Sequence, residues 1–161
     1  MTRRISTTLT AAVLALGLTP VVQGTAQAAE VVIGVLYPLT GPVAQVGIDA
    51  VAAVKTAVDI INEDVNLNVP LGPGKGLTNL GGAKIRLVIA DHGGKPDVGQ
   101  AEAERMITQE KVHALFGAYY SSVTKTASQV AERYQIPYLN AESTSPGLTK
   151  RGFKWFFRTT P

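Results

Sequence analysis

No cysteine occurs among the 161 residues. That absence excludes disulfides, zinc–thiolate sites, thiol nucleophiles and a lipid-modified amino-terminal cysteine. Aromatic residues are sparse, at 6%. No apolar run approaches the ~20 residues that a membrane-spanning helix needs. No Gly-x-Gly-x-x-Gly follows the first β-branched run, and no Gly-Lys-Ser/Thr phosphate loop is present. His92 and His113 lack metal-ligand spacing, so neither a metal nor a cofactor is expected. The rest of the composition, 45% apolar and 17% charged, suits a soluble α/β protein rather than a disordered or collagen-like chain.

The amino terminus reads as an export signal. Arg3 and Arg4 form a short basic region, Leu9 to Leu18 is uncharged and apolar, and Ala26-Gln27-Ala28 is an A-x-A cleavage site. Thr19-Pro20 ends the apolar run too early for a membrane anchor. Ser6 and Thr7 stand where a twin-arginine signal has large apolar residues, which favours the general secretory route. Residues 1–28 are therefore expected to be removed, leaving 133 residues with 13 basic and 12 acidic side chains. A balance so near zero offers no electrostatic footprint for nucleic acid. A chain of that length can bury one core.

Short apolar runs then alternate with amphipathic stretches. Val31 to Tyr37 is a near-continuous β-branched run, the pattern of a strand covered on both faces. Gly47 to Asn62 places Ile48, Val51, Val54, Val58 and Ile61 on one helical stripe. Asp64 to Gly82 is rich in Gly, Pro and Asn and reads as an exposed connection with a hairpin-like excursion. A strand over Lys84–Asp91 and a helix over Asp97–Glu110 follow, with Pro96 at the helix start. Next come a strand at Val112–Phe116, a helix to Tyr134 capped by Ser121 or Ser122, and a strand at Ile136–Asn140. Pro146-Gly147 marks a loop, and Phe153–Arg158 is extended. This alternation predicts an α/β fold: a parallel, doubly wound sheet with helices on both faces. Ligands of such sheets bind beyond the carboxyl ends of the strands. The loops of interest are therefore 38–47, 91–96, 117–122 and 140–146.

Two of these loops carry directed polar groups. Gly117-Ala118-Tyr119-Tyr120-Ser121-Ser122 brings two hydroxyls to a helix amino terminus, where free N–H groups and a partial positive charge can hold a carboxylate. The plain alternative is a serine N-cap. In Asn140-Ala141-Glu142-Ser143-Thr144-Ser145-Pro146, Thr144 can give a hydroxyl to a ligand and Glu142 can accept from an ammonium group. The alternative there is a polar turn ending at Pro146. Loop 38–47 can form one wall of a pocket. Asp91, at a strand end, is an acid candidate for an enzyme and equally suits a residue that caps or braces the turn; His92 reads as a loop residue and His113 as one flanking a strand.

These segments together resemble one family. Ile33 to Pro42, Gly117 to Thr124, Ala127 to Pro137 and Gly152 to Thr159 match it in order behind the export signal. The family is that of the leucine/isoleucine/valine-type extracytoplasmic solute-binding proteins of ABC importers, with the type I periplasmic binding fold. The resemblance implies two α/β lobes joined by a hinge, a small amino acid or related amide or carboxylate trapped between them, and delivery to an ABC permease in the inner membrane. It implies a periplasmic, non-enzymatic protein. By position it assigns the ligand carboxylate to Ser121, with Tyr120 and Ser122 beside it, and the ammonium side to Glu142 and Thr144. Many branched-chain binders carry a bulky aromatic at the position of Val46, and a small residue at that of Glu142. Some relatives join the positions of Gly94 and Tyr120 by a disulfide, which this chain lacks the cysteines to form. Family chains are much longer, so residues 29–161 are expected to be part of the first lobe, without the second. A sensory receptor domain of the same fold is the alternative function, and an exported α/β enzyme built on Asp91 and His92 is another.

Overall fold

The computed structural model describes residues 30–63, 65, 67 and 75–160. The expected export signal at 1–28, and part of the 64–82 connection, lie outside the described residues. Five strands, β1 (Val31–Tyr37), β2 (Ile85–Asp91), β3 (Ala114–Gly117), β4 (Tyr138–Asn140) and β5 (Phe156–Arg158), pair in the order β2-β1-β3-β4-β5. Every pairing is parallel. Three helices connect them: α1 (Ala44–Asn62), α2 (Pro96–Thr108) and α3 (Ser121–Tyr134).

Alternation along β1 shows why the sheet is covered twice. Val32 and Leu36 point into the cluster beneath α2 and α3, with Ala103, Met106, Leu115, Val123, Ala127 and Val130. Ile33, Val35 and Tyr37 point the other way, into a smaller cluster with Val51 and Val54 of α1. A strand of period two with both faces apolar can satisfy both clusters only in the interior of a sheet, where β1 lies.

The register aligns the functional edge. Tyr37 pairs with Asp91, Leu36 with Gly117, and Asn140 with Arg158, so the carboxyl ends of all five strands finish on one side. The amino termini of α1, α2 and α3 follow directly from that side. Two glycines make the approach close. A Cβ on Gly117, whose φ is +132°, would overlap the Leu36 carbonyl oxygen; one on Gly47 would overlap the carbonyl oxygen of Pro38. The first lets β3 turn sharply into the α3 loop, and the second lets α1 lean on the loop after β1. The Gly117–Ala118 peptide is cis.

Several boundaries differ from expectation. α1 begins at Ala44, three residues before Gly47, because Gly41 at φ +88° turns the chain and its carbonyl accepts from Ala44 N–H. The connection carries a short 3₁₀ turn, Thr78–Leu80, closed by an antiparallel bridge between Leu77 and Ala83, which is the small hairpin-like feature anticipated there. Pro146–Arg151 is a 3₁₀ helix rather than an open loop. Neither Ser121 nor Ser122 caps α3: the N-cap is Tyr120, with no side-chain hydrogen bond, and both serines are already helical.

Candidate functional site

The site begins with the α3 amino terminus. Its first free backbone donor groups carry no side-chain cap, so they stay available together with the positive end of the helix dipole. Ser121 opens the helix half-buried, and Ser122 is exposed. A cavity of about 350 Å³ lies between this turn and the 3₁₀ helix, lined by Ser121, Ser122, Lys125, Ser145, Leu148 and Arg151 among others. The Ser121 hydroxyl accepts from Ser145 N–H at 3.3 Å, which brings the α3 loop and the loop after β4 to one place.

A buried hydroxyl pair locks those two loops. Thr124 and Ser143 are 0% and 1% exposed, and their hydroxyl oxygens are 2.6 Å apart. The Thr124 hydroxyl also receives the Ala118 N–H at 3.3 Å, and Ser143 donates toward the Ala118 and Tyr119 carbonyls. Asn140 Nδ2 adds a bond to the Gly117 carbonyl. Thr144 sits exposed between Ser143 and Ser145; neither it nor Glu142 is among the residues lining the cavity at Ser121. Thr124 and Ser143 were not singled out from the sequence. Their signal was present only as small hydroxyl residues at the ends of two sheet-edge loops.

Glu142 stands on the other side of that loop. Both carboxylate oxygens lie within reach of the Tyr37 hydroxyl, at 2.8 and 2.7 Å. Tyr37 is fully buried. Burial, then the hydrogen bond and charge of Glu142, push its phenol far above the usual range. It therefore remains a donor at any physiological pH. Tyr119 packs into the α1-side cluster next to Tyr37. Tyr120 turns its ring instead toward His92 and Gly94, edge-on to the imidazole with centroids 6.1 Å apart, and so offers the site its backbone rather than its phenol. Val46 lies in the first turn of α1, 40% exposed, on the same sheet edge.

Asp91 and His92 both bond to the turn that follows β2. Burial would raise the Asp91 carboxyl, but bonds from the Thr40 hydroxyl and the Gly93 and Leu39 N–H groups outweigh it and hold it below the usual range. Those bonds tie loop 38–41 to the β2 end. His92 is 1% exposed, accepts Gly94 N–H on Nδ1 at 2.9 Å, and has its pKa lowered by burial. The structure gives both residues the turn-bracing role. Among the described residues, no group of three His, Asp or Glu is placed to hold a metal ion, and no helix is long and apolar enough to cross a membrane.

The parallel 2-1-3-4-5 sheet and its polar edge can be set beside known proteins. The profile of the periplasmic binding protein family matches residues 30–161. The chain belongs to the periplasmic binding protein family. Among curated members it is similar to the Leu/Ile/Val-binding protein homolog 8 of Brucella abortus (strain 2308), 34% identical over 139 residues. That match covers 85% of this chain and 30% of the relative. Among solved structures it is similar to the branched-chain amino acid transporter substrate-binding protein LivJ of Streptococcus pneumoniae, in complex with isoleucine. The TM-score is 0.68 at 25% identity, over 81% of this chain and 34% of that one. The leucine-binding protein LivK of Thermotoga maritima gives a TM-score of 0.65 at 25% identity, over 80% and 32%. The chain thus spans about a third of the length of the family members it matches. The fold expected from the sequence, parallel and doubly wound α/β, is the family's fold.

Proposed function

We propose that residues 29–161 form most of one lobe of an extracytoplasmic solute-binding protein, which captures a small amino acid or related amide or carboxylate for an ABC permease in the inner membrane. The observation that carries this reading is the uncapped α3 amino terminus facing a cavity of about 350 Å³ lined by the Ser121 and Ser122 hydroxyls. An anionic head group there meets oriented N–H donors and a helix dipole, worth more together than either alone. In this reading the loop after β4 supplies the Thr144 hydroxyl and the Glu142 carboxylate, the latter suited to an ammonium or amide donor. Tyr120 gives the N-cap backbone, and Val46 sits at the rim of the α1 side.

The names of similar proteins support the same class: LivJ is described with isoleucine, and the Brucella relative is a Leu/Ile/Val-binding homolog. Such members are about three times as long, in keeping with a second lobe that closes over the ligand. Closure then follows from differential affinity, because a ligand touching both lobes favours the state in which both contacts exist. In this reading the site binds its ligand and releases it unchanged. Export to the periplasm, led by residues 1–28, is part of this reading.

The test is a ¹⁵N NMR titration of the chain with L-leucine and L-isoleucine at millimolar concentration, read at the amides of Ser121 to Thr124. Saturable shifts there, weakened several-fold in Ser121→Ala, are expected. Amides that do not move, or an unchanged Ser121→Ala titration, would remove the assignment.

A further inference from the structure

Resting on the cavity of that reading and narrowing what it takes, we infer that the space between α3 and the 3₁₀ helix selects an oxyanion carrying two negative charges, a small dicarboxylate or a phosphoryl group. Three observations carry it. The first is the wall itself: Lys125 and Arg151 line it beside the serine hydroxyls, and no acidic residue does. The second is a further cation next to that wall. Arg158 of β5 donates from Nη1 to the carbonyl of Ser145, a lining residue, at 3.0 Å. So α3, the 3₁₀ helix and β5 each bring a positive charge to one place. The third is that these charges are unanswered. Among the described residues Lys125, Arg151 and Arg158 form no ion pair, whereas Arg86, Arg105 and Arg133 each do. From Ser143 to Pro161 the chain carries Lys150, Arg151, Lys154 and Arg158 and no acid.

Arg151 is fixed in place by groups that do not cancel its charge. Its Nε, Nη1 and Nη2 donate to the Leu148 carbonyl, the Lys125 carbonyl and the Ser128 hydroxyl, and its guanidinium lies over the Phe153 and Phe156 rings. A guanidinium has five N–H donors, so Nη1 and Nη2 each keep a second one. Glu132, the acid that acts on Arg151 through space, receives the Lys154 and Trp155 N–H groups and makes no ion pair with it. Lys125 follows Ser121 by four positions, so the two share a face of α3. Gathered cations with no counter-charge repel one another and favour any anion that meets them. A monocarboxylate has one charge to divide between the α3 amino terminus and these side chains. A dianion can satisfy both, and a planar guanidinium held still is suited to the paired oxygens of a carboxylate or phosphate. At about 350 Å³ the cavity is at the small end of ligand sites, which suits a compact diacid or a phosphoryl group.

The experiment titrates the chain by ¹⁵N NMR with succinate, butanoate and inorganic phosphate, read at the amides of Ser121 to Lys125 and of Ser145 to Leu148. Succinate and butanoate share a four-carbon backbone and differ in one carboxylate. The pH is mildly alkaline, so that succinate and phosphate both carry two charges. Succinate, phosphate or both should bind roughly tenfold tighter than butanoate, the scale of one hydrogen bond between charged groups. Preference for succinate alone identifies a dicarboxylate site, and preference for phosphate alone a phosphoryl site. Lys125→Gln, an exposed helical position, should lower that preference by roughly threefold or more, and added sodium chloride should lower it in the unmodified chain. Lys55→Gln removes the same charge from exposed α1, away from the cavity, and should leave the preference within about twofold. Three results would overturn the inference: no preference over butanoate, a preference unchanged in Lys125→Gln, or equal losses in Lys125→Gln and Lys55→Gln. Should Lys125→Gln fail to fold, a preference indifferent to salt would overturn it as well. The leucine and isoleucine titration keeps the two readings apart. If those amino acids move the Ser121 to Thr124 amides and the dianions bind no tighter than butanoate, this inference falls and the proposed function stands; if only the dianions move them, the reverse holds.

Discussion

Replacing Thr124 by Val keeps the shape of a buried side chain and deletes the hydroxyl that joins the two site loops. Three consequences can be counted. The contact with the Ser143 hydroxyl at 2.6 Å disappears. So does the bond from Ala118 N–H to the Thr124 hydroxyl, and Ala118 is itself fully buried. Ser143 retains the Ala118 and Tyr119 carbonyls as acceptors, so its hydroxyl is not stranded. A net intramolecular hydrogen bond contributes about 1 kcal/mol, and a buried donor left without a partner costs about 1–3 kcal/mol. Thr124→Val should therefore destabilise the chain by roughly 2–4 kcal/mol. Urea unfolding followed by the fluorescence of Trp155, the single tryptophan, measures it. Ser143→Ala should cost less, since Thr124 keeps the Ala118 N–H, and the double variant should show a coupling of about 0.5–3 kcal/mol. A Thr124→Val chain within 0.5 kcal/mol of the original, or strictly additive variants, would refute the claim that these hydroxyls staple the α3 loop to the loop after β4.

Arg151 should resist even Lys. Its guanidinium donates to the Leu148 and Lys125 carbonyls and the Ser128 hydroxyl, and covers the rings of Phe153 and Phe156 at 4.1 and 5.1 Å. Lysine cannot reproduce that fork, so Arg151→Lys should cost about 1–3 kcal/mol in the same urea assay and broaden the amides of the 3₁₀ helix. Acid should weaken the fold in two stages. His92 is held neutral by burial, so its contribution is complete above its unfolded pKa of about 6.5 and is lost as pH falls through its lower folded value. Asp91, also depressed, contributes fully above about 4 and is lost below that. His92→Asn keeps an acceptor for Gly94 N–H and should flatten the first stage of a stability–pH curve without altering the second; an unchanged curve would remove His92 from the account.

Legibility followed physical locality. β1 spans Val31 to Tyr37 in sequence pattern and structure alike, because an interior parallel strand needs an uninterrupted apolar run. The α3 end at Tyr134 was equally plain, since Gln135 adopts the left-handed conformation that stops a helix before Ile136-Pro137. Cap identity was harder. The sequence favours a Ser at the N-cap, yet the turn made by Gly117 and Ala118 carries the chain to a cap at Tyr120, freeing both serines. The Tyr37–Glu142 bond spans 105 positions, and the Thr124–Ser143 contact joins two loops through a sheet register. Neither leaves a local period to read. The resemblance of the loops to one family pointed to the loops after β3 and β4. It did not show that Glu142, a charged departure from the family pattern, is tied to the strand at the centre of the sheet.

The two faces of the sheet are finished to different degrees, and the contrast bears on function. Beneath α2 and α3 the core is continuous from Val32 to Tyr138. On the α1 side an apolar cavity of about 270 Å³ opens over Ile33, Val58, Leu87, Phe116 and Leu139, with Leu139 39% and Phe157 50% exposed. Uncovered apolar surface of this kind costs stability in water. The carboxyl edge of the sheet, by contrast, is closed by short polar contacts: Asp91 to Leu39, Thr124 to Ser143, Ser145 to Ser121, Tyr37 to Glu142. The first three tie segments that leave adjacent strands, while the Tyr37–Glu142 bond reaches from β1 across β3 to the segment after β4. The geometry of the edge is therefore set by the register of β1 to β4 and by hydrogen bonds local to it. Loops organised in that way have their donors and acceptors ordered as the sheet folds, so the ordering cost is met there.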